Sequence, residues 1–118
     1  MSRDAAGETG DEHSRCADYV REVLRLYRAT PTVLGHVRKA DRAFAATLFD
    51  HGVPLFAVEH ALLVGAARRV LNNACAQPLP PVRSLHYFAA IIDEMLHRPL
   101  GYRDLDKLRH RLRHALAD

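Results

Sequence analysis

Arg103, Lys107, Arg109, Arg111 and Arg113 fall close together near the C-terminus, with His110 and His114 among them. Steps of three and four put Arg103, Lys107, His110, Arg111 and His114 on one side of a helix, opposite Leu105, Leu108, Leu112 and Leu116. Cations at that spacing can follow a phosphate backbone, and each contact releases a counterion. Arg109 and Arg113 widen the row at one edge. Arg21, Arg25 and Arg28 form a second basic face, and Arg38, Lys39 and Arg42 a third cluster. A plainer account needs no ligand: cations near a helix C-terminus are favoured by the helix dipole, and charged faces are solvated. Convergence of the three clusters in space would favour nucleic acid.

Other groupings carry less chemistry. Asp106, His110 and His114 stand at i, i+4 and i+8, and His86, Asp93 and His97 share the polar side of one segment. Metal sites use such histidine pairs, but no HExxH and no third-ligand motif accompanies them. Ser84 lies near His86, yet adjacent helical positions point in different directions, and no nucleophile elbow or phosphate loop is present. Asp93 and Glu94 read as a solvated helix face. Glu59 sits in the most apolar stretch and is expected to pair with an arginine such as Arg83, a structural role. Residues 47–61 resemble a helix-turn-helix with Gly52 in the turn. The second helix, however, carries Phe56, Leu63 and Ala67 where base-reading polar residues would stand, so a core hairpin is expected. No catalytic residue, metal ligand or cofactor site is assigned, and a non-enzymatic role is expected.

The elements that must position these groups are helical. The chain has 118 residues, 48% of them apolar and 26% charged, which suits one folded domain rather than a disordered one. Residues 1–14 hold Asp4, Glu8, Asp11 and Glu12 against Arg3, a net of −3. The whole chain is +3, so the rest carries +6. The expected organisation is a disordered acidic leader over 1–14 and a single all-α domain over 15–118, a compact bundle of about five helices. Helices are predicted over 17–29, 40–51, 54–73, 82–97 and 102–117. Their inner faces are Val20, Val23, Leu24 and Tyr27 in the first; Phe44, Ala45 and Leu48 in the second; Leu85, Phe88, Ala89, Ile92 and Leu96 in the fourth; and the leucine stripe in the fifth. The third is apolar nearly all round and belongs in the middle, with Gly65 and Ala66 as a patch for close crossing. Prolines 78, 80 and 81 make 72–81 a loop. Cys16 and Cys75 form no disulfide framework or zinc spacing. No signal-like segment and no membrane-length apolar run is visible, so a cytoplasmic location is expected.

Val82-Arg83-Ser84-Leu85-His86-Tyr87-Phe88-Ala89-Ala90-Ile91-Ile92 resembles the end of the helical domain of DnaD-like replication-initiation proteins. Tyr87, Ile91 and Met95 take the spacing of that family's YxxxIxxxW signature, with Met95 in place of the tryptophan. The likeness covers 48–116 and extends to the basic helix that follows; no winged-helix counterpart stands in these residues. The same segment is similar to small helical proteins of bacterial mobile elements. The resemblance implies a helical bundle binding single- and double-stranded DNA. The expected function is an accessory protein that holds DNA or RNA by its phosphates through Arg103, Lys107, Arg109, Arg111 and Arg113, with Arg21, Arg25 and Arg28. No membrane and no small-molecule substrate are expected. The alternative is a protein-interaction subunit or homodimer, since Phe56, Leu63 and Ile91 add apolar surface that a small bundle cannot all cover.

Overall fold

Proline and glycine divide the chain into helices, and the computed structural model, which describes residues 2–72 and 79–117, follows those divisions. Among the described residues the helices are α1 (Ser2–Ala29), α2 (Lys39–Asp50), α3 (Leu55–Leu71), α4 (Ala89–His97) and α5 (Tyr102–Ala117), and a 3-10 turn, Leu85–Phe88, leads into α4. The fold is all-α. Residues 73–78, which include Cys75 and most of the expected loop, lie outside the described residues.

α3 occupies the middle and packs against α1, α4, α5 and the 3-10 turn. Its buried residues (Ala57, Val58, Ala61, Leu62, Val64, Gly65, Ala66 and Ala67) surround the helix, as its all-round apolar sequence requires. Small residues let neighbours approach: a Cβ on Gly65 would stand 2.5 Å from Cε1 of Phe88, so the absence of a side chain there is what admits the Phe88 ring. Val23, Leu24 and Tyr27 of α1, Leu85 and Phe88 of the turn, and Ile92 and Met95 of α4 complete the core. Burying each large side chain stabilises the fold by about 1.5–3 kcal/mol.

The α2–α3 corner is built by Gly52, whose φ is +72°. Its N–H donates to Phe49 O at 2.9 Å and that of Val53 to Leu48 O at 3.0 Å. This pair of bonds is a Schellman closure, which needs a residue free to take the left-handed conformation. Two linkers pair where no strand is formed: Leu34 N–H donates to Val82 O and Val82 N–H to Thr32 O, both at 2.8 Å.

Three expectations are corrected. α1 starts at Ser2 rather than at 17, and residues 10–14 of the expected leader are helical and exposed. No proline stands there to stop the helix, and Gly7 and Gly10 each cost only about 1 kcal/mol. α4 starts at Ala89 rather than at 82, because Val82 is held in the linker pairing and Ser84 caps the 3-10 turn by accepting the His86 N–H at 3.1 Å. That turn shifts the register, so Met95 is buried and Leu96 is 42% exposed. In α5, Leu105 and Leu112 are buried and Leu108 is partly covered, but Leu116 is 49% exposed.

Candidate nucleic-acid interface

α5 is positioned by its leucines. Leu105 lines a pocket with His60, and Leu112 another with Leu62 and Leu63, which seats the helix on α3. At about 100° per residue, Arg103, Lys107, His110 and His114 then lie opposite that contact, with Arg111 and Arg113 on the two flanks. All six are exposed. Among the described residues none of these six pairs with a carboxylate within 4.0 Å. α5 carries five Lys or Arg against Asp104 and Asp106, a net of +3. The arrangement offers separated, solvated donors along one side of a helix.

Arg109 behaves differently. Its guanidinium reaches Glu59 at 3.3 Å and Asp106 at 3.6 Å, tying α5 to α3. Glu59 therefore has the structural role expected of it, with Arg109 rather than Arg83 as partner. Spacing could not select between them, because the contact crosses fifty residues.

The α1 row is partly engaged with its own helix: Arg21 pairs with Asp18 at 3.0 Å, and Arg25 is bonded to Glu22. The Arg25 bond holds the half-buried Glu22 carboxyl below its usual range. Arg21 and Arg28 line a groove with Arg42 of α2, over Val20, Leu24 and Val37. The second and third basic clusters thus meet. The α1 row and α5 do not merge in the same way: Arg25 and Arg109 both feel the carboxylate of Glu59 between them.

The remaining groupings have local partners. Ser84 caps a turn, and the His86 ring packs on Phe44 at 4.9 Å between centroids, so the two do not face a common point. His97 Nδ1 lies 2.8 Å from the Asp93 carbonyl. Glu94 pairs with Arg68 at 2.7 Å. Among the described residues no three His, Cys, Asp or Glu side chains cluster as a metal site would require. α3 exposes only Phe56, Glu59 and Arg68, so it has no polar face for a DNA groove. No helix is long and apolar enough to cross a membrane among the described residues.

Two residues with a part in the surface escaped the sequence reading. Tyr102 opens α5 and is 86% exposed. Asp41, beside the third cluster, is 1% exposed and accepts backbone N–H groups from Arg38 and Leu85, both at 2.9 Å. Tyr102 was legible as an aromatic off the leucine stripe; Asp41 had no such signal.

No family model, no curated protein and no solved structure matches this chain. The three residues of the DnaD-like signature occupy different surroundings: Tyr87 is exposed beneath the Arg69 guanidinium, Ile91 lies against Gly65, and Met95 is buried.

Proposed function

We propose that the protein is a non-enzymatic accessory factor that binds nucleic acid by its phosphate backbone along α5. One observation carries the reading: Arg103, Lys107, Arg111 and Arg113 are exposed on one helix without carboxylate partners among the described residues. Phosphate contacts of this kind position a nucleic acid but read little sequence. The Arg21, Arg28 and Arg42 groove supplies a second, weaker basic surface. Arg109 and Arg25 contribute less, because neighbouring carboxylates already neutralise them. The resemblance of residues 82–92 to DnaD-like and mobile-element proteins supports a role for such a factor in replication or mobile-element systems.

The test is fluorescence anisotropy with labelled single-stranded DNA, duplex DNA and RNA over a salt series. Wild-type binding is expected to weaken steeply with salt, with a slope near one per phosphate contacted. Reversal of Arg103, Lys107 and Arg111 to glutamate is expected to abolish it. Binding that ignores salt, or that survives the reversal, refutes the proposal. A second reading, a protein-interaction subunit or homodimer, is favoured by the half-exposed Phe56, Tyr87, Leu96 and Leu116. Under that reading, sedimentation shows self-association or a stoichiometric partner.

A further inference from the structure

We propose that a pocket between the first turns of α3 and of α5 receives one unpaired nucleobase, so that the protein prefers single-stranded over duplex nucleic acid. The proposal rests on the phosphate-binding reading above and names its substrate class. The pocket encloses about 480 Å³ and is lined by Phe56, His60, Leu100, Gly101, Tyr102 and Leu105. Its lining combines two leucines with three flat rings.

Phe56 and Tyr102 are 50% and 86% exposed. An aromatic ring usually buries about 150–250 Å², so two of them left open beside one pocket forgo a large apolar gain unless something flat covers them. Phe56 and His60 already form one wall, with centroids 5.5 Å apart. Burial pushes the His60 imidazole below its ordinary pKa, against the opposing pull of Glu59, and the ring adds a flat face to the pocket. Gly101 adds no side chain to crowd the opening.

Charge selects the occupant. Arg103 directly follows Tyr102, Arg98 precedes Leu100 by two residues, and both are exposed. Lys107 continues the row one turn further along α5. Arg103 and Lys107 face away from α3, so a strand whose base enters the pocket would run its phosphates over the outer side of α5 to meet them. A second copy of the chain would bring a like-charged α5 to the same place, which is repulsive. A duplex keeps its bases stacked, and extruding one costs a few kcal/mol, so a duplex would engage the phosphate row alone.

The experiment uses the full chain and three probes of about 15 nucleotides: oligo-dT, the same strand with every base replaced by an abasic site, and a duplex. Oligo-dT and the abasic strand carry equal charge, so their difference isolates the base. Oligo-dT is expected to bind on the order of 5- to 150-fold tighter than the abasic strand. Tyr102→Ala should narrow that gap while leaving the abasic and duplex affinities unchanged, and Tyr102→Phe should restore it. The side chain is exposed, so circular dichroism should show the same fold for each variant. Equal, salt-dependent binding of dT and abasic strands overturns the pocket and leaves the phosphate reading standing. No binding to any probe removes both. A wild-type dimer that Tyr102→Ala converts to monomer, with no competition from oligo-dT, assigns the pocket to a second copy and overturns the proposal.

Discussion

Asp41 shows how one buried carboxylate can join segments that sequence spacing does not connect. Its Oδ2 accepts the Arg38 N–H at the start of α2, and its Oδ1 accepts the Leu85 N–H, 44 residues away, at the start of the 3-10 turn. Charge-assisted bonds of this kind contribute about 1.5–3 kcal/mol each. Asp41→Ala leaves both donors without that partner and is expected to lower the unfolding free energy by about 2–4 kcal/mol. Urea denaturation measures this, and a loss below about 1 kcal/mol would show that water replaces the carboxylate without cost. Tyr27 has the opposite balance. It is 0% exposed, and its hydroxyl has no partner among the described residues. Burial, and secondarily Asp41, raise its pKa above the ordinary value. Tyr27→Phe removes an unpaired polar group, so the variant is expected to be at least as stable, with a gain of about 1 kcal/mol. The sign at high pH follows from the raised pKa. The unfolded phenol ionises first, near pH ~10, so the folded state loses stability as pH rises through that value, and the phenylalanine variant loses less. Tyr27 was legible as a core residue because it falls on the apolar face of α1. Asp41 was not, because its partner is distant in sequence and its charge suggested a solvated surface.

At the scale of elements, apolar periodicity located five helices because each buries a face, α1, α4 and α5 against α3 and α2 against α1 and the 3-10 turn, and burial imposes the 3.6-residue period. It failed where backbone pairing replaced side-chain burial. Residues 82–88 look helical by composition, yet Val82 is bonded to the Thr32–Leu34 linker and Ser84 turns the chain into a 3-10 segment. The register of α4 moved with it, which exchanged Leu96 for Met95 in the core. The exposure of the basic residues Arg103, Lys107, Arg111 and Arg113 of α5 was legible, since its leucines fix its orientation, whereas the flank position of Arg111 was not, and the pairing of Arg109 with Glu59 depends on how α3 and α5 cross. The seat of the 3-10 turn and α4 on α3 depends on a small residue. Gly65→Ala would set a methyl 2.5 Å from Phe88 Cε1 and 3.1 Å from Ile91 Cδ1. Helix propensity favours alanine by about 1 kcal/mol, while overpacking a closed core costs about 1–3 kcal/mol. Phe88 is 0% exposed and has no open side to move toward, so the steric term should win. A net loss of about 1–2 kcal/mol in chemical denaturation is expected. A gain would mean that Phe88 yields freely.

Across the whole molecule the charges are segregated along the chain. Residues 1–14 carry −3 and the remainder +6. If α5 and the α1–α2 groove attract phosphates, the acidic segment opposes them through the same field, whether or not it touches either surface. Long-range terms of this kind fall off over a Debye length, about 10 Å at 0.1 M salt and 30 Å at 0.01 M. Removing 1–14 should therefore tighten binding of a single-stranded oligonucleotide by about two- to fivefold at low salt, and the gain should fade as salt approaches physiological strength. Residues 10–15 are exposed, and the first partly covered side chain of that stretch is Cys16, which the deletion keeps. Val23, Leu24 and Tyr27, which anchor α1 in the core, remain. Paired salt titrations of the two chains decide the matter. Lines that converge at high salt locate the effect in the field of the acidic segment. Parallel lines, or coincident ones, would show that 1–14 does not act on the basic surface through charge.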